Sequence, residues 1–289
     1  MKGFFKAFAV AFGMYSKIPM PAFEWAGEDM KYHLCFFPFV GGLIGLLEFL
    51  WYQFCWKLNL FSSLSFFVLC IGVLIPFFVT GGFHVDGFMD TMDALHSWGS
   101  REKKLEILKD PHVGSFSVIS FAVFMLILLG FGSVLVYVPG RAGIITVCFS
   151  FVICRALSGL SIMVFPKAKK DGMAVVESST SGRNFSGRKL SGRKLSGRNL
   201  SGRKIVVTVL LAELVISAFF CVWLTRGESF CAIAGLSGIF LAFAYYFFMS
   251  RKQFGGITGD LAGFFVCTGE ACCAVCGALC LMAEEIWIL

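Results

Sequence analysis

The chain has 289 residues, of which 57% are hydrophobic and only 15% are charged. Soluble globular chains carry about 25% charged residues, so this composition, with a mean hydropathy of +0.81, excludes an ordinary soluble protein. The formal net charge of +7 does not indicate nucleic-acid binding, because basic loops beside anionic lipid headgroups account for it.

A helical membrane protein is the class that remains. The bilayer core accepts only segments that satisfy their own backbone hydrogen bonds, and the apolar runs here are continuous rather than alternating, which excludes an outer-membrane barrel. Most of the twelve cysteines lie inside these runs. We interpret them as small membrane residues rather than as metal ligands or disulfide partners.

The first predicted element is an N-terminal segment, Met1 to Ile18, which carries two lysines before a short apolar stretch and lacks a clear cleavage site. This pattern favours a retained interfacial helix over a signal peptide. Seven later stretches are long enough to cross about 30 Å of hydrocarbon. They lie near residues 35–56, 61–82, 114–138, 142–165, 205–224, 228–250 and 261–282. The predicted fold is therefore all-α: a polytopic integral membrane helical bundle of about seven transmembrane helices plus an interfacial helix, forming one membrane domain over residues 1–289.

The distribution of basic residues orients these spans. With a cytoplasmic N-terminus, twenty-one of the twenty-five Lys and Arg fall in inside segments, and only Lys57, Arg141 and Arg226 fall in outside loops. We therefore expect a protein integral to the bacterial cytoplasmic (inner) membrane, surrounded by membrane lipids, with its N-terminus inside and its C-terminus outside. The sequence leaves open whether it forms a homo-oligomer.

A basic cytoplasmic loop is expected over residues 166–204, and it contains a repeat. From Ser181 to Ile205 the chain reads SGRNF SGRKL SGRKL SGRNL SGRKI. Five residues match neither the helical nor the strand period, and Ser-Gly disfavours a helix, so the repeat predicts a flexible loop. A tolerated loop expansion is favoured over an arm that binds anionic lipid, because surface loops accept insertions at little cost.

The acidic segment that follows the second span carries the clearest chemical signal, and we expect a cytoplasmic catalytic loop and helix over residues 83–113. Asp86, Asp90 and Asp93 stand at i, i+4 and i+7, which places them within roughly 60° of one another on one helix face. A merely solvated acidic face is ordinarily relieved by Lys or Arg one turn away, and none occurs between Thr80 and Ser100. The pattern therefore favours a Mg²⁺ site.

Two further cytoplasmic segments are expected to meet this one. Gly255, Gly256, Thr258 and Asp260 lie at the mouth of the last span, where glycines let the backbone approach a phosphate and Asp260 adds a metal ligand. A second segment at the entrance to the third span contains Lys109, Asp110 and His112, of which Lys109 can meet a phosphate as a point charge. Without the surrounding motifs, this second segment would be interpreted as an ordinary helix boundary.

Ionisable residues inside the spans are functional candidates by default, because burying them is costly. They are Glu48, Arg155, Glu213 and Glu270. We expect Arg155 to contact substrate and Glu270 to join the metal ligands, whereas the other two glutamates can pair or tilt toward an interface. His84 adjoins the acidic residues and is expected to assist substrate or metal. Together these patterns predict phosphoryl chemistry on a phosphate- or pyrophosphate-containing substrate at the cytoplasmic face.

At these residues the sequence resembles the cobalamin synthase family of adenosylcobinamide-GDP ribazoletransferases. Thr80 to Asp93 reads TGGFHVDGFMDTMD and follows the pattern TGG-x-H-x-DG-x-x-DT-x-D; GGITGD begins at Gly255, and weaker similarity covers nearly the whole chain. The chain departs from the pattern at Ala94, at Pro111-His112, where a Ser-Arg pair often stands, and in the pentapeptide repeat. His112 is expected to replace part of that arginine.

The resemblance implies a transferase that joins adenosylcobinamide-GDP to alpha-ribazole or its 5'-phosphate and releases GMP. It also implies Mg²⁺ held by Asp86, Asp90, Asp93 and Asp260, with Asp93 or Asp260 as the general base. Two alternatives, a CDP-alcohol phosphotransferase-like membrane enzyme and a membrane transporter, fit the sequence less well. A CDP-alcohol phosphotransferase would need Ala-Arg after the first Asp pair, and a transporter would place its acidic residues near the bilayer midplane.

Overall fold

A computed structural model describes residues 2–21, 32–138, 140–168 and 198–288, and nearly all of these ranges form helices. The α-helices are α1 Lys2–Tyr15, α2 Phe37–Lys57, α3 Ser65–Thr80, α4 Phe83–His96, α5 Arg101–Ile107, α6 Ser115–Tyr137, α7 Ala142–Val164, α8 Arg198–Thr225, α9 Cys231–Met249 and α10 Gly259–Ile288. A π-helical turn, Ser250–Phe254, follows α9. The predicted all-α membrane bundle is confirmed.

Within the described residues, six helices are long and apolar enough to cross a membrane: α2 with its preceding turn, α6, α7, α8, α9 with its following turn, and α10. They match six of the seven predicted spans. The remaining prediction, residues 61–82, corresponds to α3, whose 16 residues reach only about 24 Å. α3 and α4 meet at an angle of 94°, so this pair forms a broken span or a re-entrant segment, and the described part of the chain has at most seven spans.

The N-terminal segment forms a helix, as predicted, and α1 is too short to span a bilayer. One face of α1 is buried in the bundle through Ala7, Ala11 and Phe12. Phe4 meets the ring of Phe36 edge-to-face at 4.7 Å. The helix is therefore packed against protein along one side rather than being held by lipid alone.

α7 is the centre of the bundle and packs against α2, α8, α9 and α10. Its contact with α2 depends on two small residues. A Cβ at Gly41 would lie 2.2 Å from the carbonyl oxygen of Phe151, and one at Gly45 would lie 2.5 Å from that of Cys148. Small residues at such positions let helix backbones approach closely where lipid leaves little hydrophobic drive for association.

The pentapeptide repeat ends differently from the prediction. α8 begins at Arg198, so the last copy, Ser201 to Ile205, is helical, and the loop expected to reach residue 204 ends earlier. The apolar run that follows this copy explains the difference, because an established helix extends over neighbouring residues at low cost. The guanidinium of Arg203 donates a hydrogen bond to the carbonyl of Met163 in the last turn of α7. The first three copies and the first two residues of the fourth lie outside the described residues.

Candidate functional site

The acidic helix begins at a sharp bend that two glycines produce. Gly81 ends α3 with φ of 66°, and Gly82 precedes α4 with φ of 79°, a left-handed conformation that favours glycine. Gly81 is also covered by the side chain of Lys17, whose Cε would lie 2.3 Å from an added Cβ. The Gly-Gly pair of the motif therefore sets the 94° turn that directs α4 away from α3.

The three aspartates occupy α4 as predicted, and α4 packs closely against the start of α10. A Cβ at Gly87 would lie 2.7 Å from the carbonyl oxygen of Asp260, and one at Gly263 would lie 3.1 Å from that of His84. Two glycines, one on each helix, thus bring the backbones together. The contact places Asp260 beside the acidic face of α4, as the sequence predicted for these separated segments.

Asp90 lies at the centre of this acidic group. It is half-buried, and the charges of Asp86, Asp93 and Asp260 all act on it unfavourably. Within the described residues, neither Asp86 nor Asp90 forms an ion pair with a Lys or Arg. Carboxylates gathered in this way repel one another unless a cation lies between them.

Oxygen ligands of this kind suit Mg²⁺, which prefers carboxylates and retains several waters. The side chains do not yet form a coordination sphere: among the residues that the structure describes, no three His, Cys, Asp or Glu side chains are grouped as a bound ion would require. The carboxylates thus match the metal in the type of donor atom, whereas their arrangement in this structure is not that of a bound ion.

Asp93 has a partner that the sequence did not predict. Its carboxylate accepts hydrogen bonds from the backbone N–H groups of Gly114 at 2.6 Å and Ser117 at 2.9 Å. These amides belong to the N-terminus of α6, where unpaired N–H groups favour a negative charge. Asp93 thus caps a helix that begins more than twenty residues later.

The stretch with Lys109, Asp110 and His112 leads into this capped end of α6 and lies on the surface. Asp110 accepts hydrogen bonds from the backbone N–H of His112 at 3.0 Å, and its Oδ1 lies 2.6 Å from the imidazole Nδ1. These hydrogen bonds hold the pKa of Asp110 below its usual value. Asp110 and His112 therefore stabilise the turn together, while Lys109 extends into solvent.

The glycine-rich loop before α10 is held by main-chain hydrogen bonds. The Ile257 N–H donates to the carbonyl of Pro166 at 2.9 Å, and the Ala168 N–H donates to the carbonyl of Ile257 at 3.0 Å. Gly255 has φ of 77°, and a Cβ at Gly256 would lie 2.5 Å from the backbone carbonyl carbon of Lys167. Both glycines are thus required by the course of the chain.

Thr258 ends this loop and caps α10. Its Oγ1 accepts a hydrogen bond from the Leu261 N–H at 3.2 Å and lies 3.4 Å from Oδ2 of Asp260. The predicted Thr258 and Asp260 therefore lie together at one helix N-terminus, a position that favours anions.

A brace that the sequence analysis missed connects α5 to the π-helical turn. Arg101 Nε donates to the carbonyl of Lys252 at 3.0 Å, and the buried Lys104 Nζ donates to Oε1 of Gln253 at 2.7 Å. π-Turns occur frequently at functional sites, but a single π-turn has no sequence signature that could have indicated it. The brace fixes the segment after α4 to the segment before α10, on both sides of the acidic group.

Three predicted site residues lie elsewhere. Arg155, Glu270 and His84 line a cavity inside the bundle, on the side of α4 that faces the core. Arg155 Nη1 forms an ion pair with Oε1 of Glu270 at 2.7 Å and donates to the carbonyl of Phe151 at 2.9 Å. The ring of His84 packs against Phe37, with centroids 5.6 Å apart. The structure thus separates an acidic surface group from a buried polar group.

Two other side chains share this cavity. Glu48, which the sequence singled out as an intramembrane acid, lines it, as does Tyr52, which the sequence analysis did not mention. Tyr52 follows Glu48 by one helical turn, and that i, i+4 spacing of polar residues within a span was the available signal. Glu213 does not line the cavity.

The family described as cobalamin-5-phosphate synthase matches residues 7–278. A protein from Lachnoclostridium phytofermentans is 34% identical over 96% of this chain and 94% of its own length. One from Clostridium botulinum strain Alaska E43 is 31% identical over 93% and 96%, and one from Clostridium perfringens strain 13 is 30% identical over 92% and 94%.

All three relatives are named adenosylcobinamide-GDP ribazoletransferase. No solved structure matches the chain. The family covers nearly the full chain, including both helices that form the acidic group, and it favours the synthase interpretation over the phosphotransferase and transporter alternatives. This chain belongs to the cobalamin-5-phosphate synthase family.

Proposed function

We propose that this protein joins adenosylcobinamide-GDP to alpha-ribazole or its 5'-phosphate, giving adenosylcobalamin or its 5'-phosphate and GMP. The family match and the names of the relatives support this activity. The observation that carries it is the meeting of Asp86 and Asp90 of α4 with Asp260 of α10. A pyrophosphate substrate requires its negative charge to be neutralised, and such a group recruits the cation that does so.

Asp86, Asp90 and Asp260 are the residues that would hold Mg²⁺. When bound, this ion supplies neutralisation of the charge that develops on the pyrophosphate and on the departing GMP. Asp93 is proposed as a positioning residue instead, because both of its oxygens accept backbone hydrogen bonds. Glu270 is not included in this set, since its carboxylate is paired with Arg155.

The remaining residues bind and orient. Lys109 is exposed beside the N-terminus of α6 and is proposed to attract a substrate phosphate, with Gly255, Gly256 and Thr258 setting the backbone on the opposite side of the acidic group. A ribose hydroxyl forms a bond to the phosphorus linked to the cobinamide, and the bond from that phosphorus to GMP breaks. The hydroxyl proton passes to a carboxylate, for which Asp260 is our proposal.

We further propose that this chemistry takes place at the cytoplasmic face of the bacterial cytoplasmic membrane. The clustering of basic residues in segments on the side of the acidic group supports that orientation. A substrate that carries GDP is then accessible without crossing the membrane.

The proposed function is tested with the purified protein in lipid vesicles. Adenosylcobinamide-GDP and alpha-ribazole are supplied with Mg²⁺, with EDTA, or with Mg²⁺ but no acceptor, and GMP is quantified by chromatography. We expect GMP only when acceptor and Mg²⁺ are both present. Release of CMP from a CDP-linked lipid and a free alcohol, with no GMP from the cobinamide substrate, would contradict the proposal.

A further inference from the structure

The cavity inside the bundle has walls of two kinds. Helices α2, α3, α4, α6, α7 and α10 surround a volume of about 90 Å³. Most of its lining is aliphatic or aromatic, and includes Leu69, Val73, Phe77, Phe124, Leu128 and Val147. Its polar lining consists of the five side chains described above together with Thr80 and Ser150, and the apolar lining is much the larger part.

The polar side chains present atoms without partners. Glu48 Oε2, both ring nitrogens of His84, and Arg155 Nε form no hydrogen bond within the described residues. The three residues are only 3%, 5% and 1% exposed, respectively. Buried polar atoms are costly when unpaired, and more so in a membrane interior where water does not replace the missing partner. Such a set therefore indicates a ligand that supplies the partners.

The unpaired atoms define the chemistry of that ligand. Arg155 Nε–H is always a donor, and a neutral His84 ring offers one donor and one acceptor, so the ligand must bring at least one acceptor. A phosphate is disfavoured, because the charge of Arg155 is already balanced by Glu270 and Glu48 adds another carboxyl. The apolar walls with Phe77 and Phe124 favour a flat aromatic body. An aromatic heterocycle with nitrogen at its edge meets all of these conditions.

The cavity also extends toward the acidic group. Its lining includes Thr80 at the end of α3 and Val85 in the first turn of α4, and Val85 directly precedes Asp86. A heterocycle in the cavity would thus have its attached sugar near the helix that carries the proposed metal ligands. The acceptor substrate has this composition, since alpha-ribazole is a riboside of a benzimidazole.

We infer that the cavity binds the heteroaromatic base of the ribazole acceptor, with Arg155 Nε–H donating to the one ring nitrogen that carries no ribose, and with Glu48 and His84 lining the same cavity. This inference rests on the proposed function. It assigns the buried polar residues to recognition of the acceptor and the surface aspartates to the donor pyrophosphate.

The test is to fill the cavity at a position that belongs neither to the acidic surface group nor to the buried polar side chains. Gly132 of α6 lines the cavity, and a Cβ there would first meet the flexible side chain of Leu69 at 3.4 Å, so Gly132→Val is expected to fold. Gly130, half a turn away, would meet nothing within 4 Å and is exposed, which makes Gly130→Val the matched control. For each variant, the KM for alpha-ribazole, the KM for adenosylcobinamide-GDP and kcat are measured.

We expect Gly132→Val to raise the KM for alpha-ribazole roughly 10-fold or more, with the donor KM unchanged and Gly130→Val like wild type. Benzimidazole, but not indene, which has the same shape without nitrogen, should compete with alpha-ribazole and bind the wild-type protein directly. An unchanged acceptor KM in Gly132→Val, with GMP still formed, would overturn the inference and leave the proposed function standing.

The converse failure is distinguishable. If no acceptor yields GMP from the wild-type protein, the proposed function fails and the assignment of the base fails with it. In that case, direct binding of benzimidazole that is lost in Gly132→Val but kept in Gly130→Val would still support a heterocycle site in the cavity. Equal binding by both variants would overturn that site as well.

Discussion

Asp93 accepts a 2.6 Å hydrogen bond from the backbone N–H of Gly114, and an added Cβ at Gly114 would lie 2.3 Å from the same carboxylate oxygen. This contact joins the acidic helix to the surface stretch that begins at Lys109. It explains why a glycine stands at the end of that stretch, and it gives one motif aspartate a structural partner. The acidic residues are therefore of two kinds, those that carry an unbalanced charge and one that holds a helix end.

The capping role of Asp93 predicts a difference between two substitutions. Asp93→Ala should lower the free energy of unfolding by about 1 kcal/mol, since it leaves the amides of Gly114 and Ser117 unpaired. Asp93→Asn retains only one of the two acceptor oxygens and turns its NH₂ group toward the other N–H donor, so its Tm in detergent should lie between those of wild type and Asp93→Ala. Equal Tm values for wild type and both variants would contradict the capping role.

Activity of the same two variants separates capping from catalysis. If Asp93 acts through the position of α6, Asp93→Asn, which keeps one of the two hydrogen bonds, should retain more GMP formation than Asp93→Ala. Loss of turnover in a well-folded Asp93→Asn would instead return Asp93 to the reacting group. Gly114→Ala should reproduce the instability of Asp93→Ala, because its Cβ displaces the carboxylate.

Asp90 should behave in the opposite way. Asp90→Asn keeps the side-chain volume but removes one charge from the acidic group, so GMP formation should be lost while membrane insertion is retained. In EDTA the variant should be more stable than wild type, because repulsion from Asp86, Asp93 and Asp260 is reduced. The rise in Tm that Mg²⁺ gives the wild-type protein should disappear.

A matched control for Asp90→Asn is Asp110→Asn, which removes a carboxylate from the surface turn. It should leave the effect of Mg²⁺ on Tm unchanged. Near-normal turnover of Asp90→Asn at low Mg²⁺ would refute the metal assignment.

The ion pair of Arg155 with Glu270 should contribute to folding through its burial. Glu270→Ala leaves a guanidinium that is 1% exposed without its counter-charge, and breaking a buried pair in this way typically costs about 3–5 kcal/mol. Replacing both partners, Arg155→Met with Glu270→Ala, should recover part of that loss. The measurement is the unfolding midpoint in a denaturing detergent series, and a double variant less stable than Glu270→Ala would contradict this account.

Sequence patterns identified the acidic site better than the buried one, for physical reasons. The spacing of Asp86, Asp90 and Asp93 fixes a helix face whatever the rest of the chain does. By contrast, the burial of His84 in the cavity and the position of Asp86 in the acidic surface group depend on which side of α4 packs against α10. That packing follows from the close contacts at Gly87 and Gly263. Spacing along one helix does not reveal the partner helix, so Glu270 was expected among the metal ligands.

The pentapeptide repeat gives a further prediction. The last copy belongs to α8, where Arg203 donates to the carbonyl of Met163. Deleting the three copies from Ser181 to Leu195, which lie outside the described residues, should leave GMP formation within a few fold, because loops tolerate changes of length. Arg203→Gln should have the larger effect on Tm. A large loss of activity from the deletion, in lipid of fixed composition, would favour a basic arm that binds lipid.

The orientation of the chain is tested with single cysteines and a membrane-impermeant thiol reagent. Seven of the twelve native cysteines are buried and five are partly exposed, so the native cysteines are first replaced to give a cysteine-free background. Trp98 follows the acidic helix and is fully exposed, which makes Trp98→Cys a sensitive reporter for the side of the acidic group. Arg141→Cys and Arg226→Cys report on the opposite side, where both native side chains are exposed.

We expect Trp98→Cys to react only when the cytoplasmic face is opened, and the two arginine positions to react in intact cells. The argument combines the excess of basic residues on the side of the acidic group with the need of a GDP-linked substrate to reach it. A broken span and a re-entrant segment place α4 differently relative to the earlier helices. The side from which Trp98→Cys is labelled therefore distinguishes these two arrangements of α3 and α4. Labelling of Trp98→Cys from outside would invert the proposed orientation and separate the aspartates from their substrate.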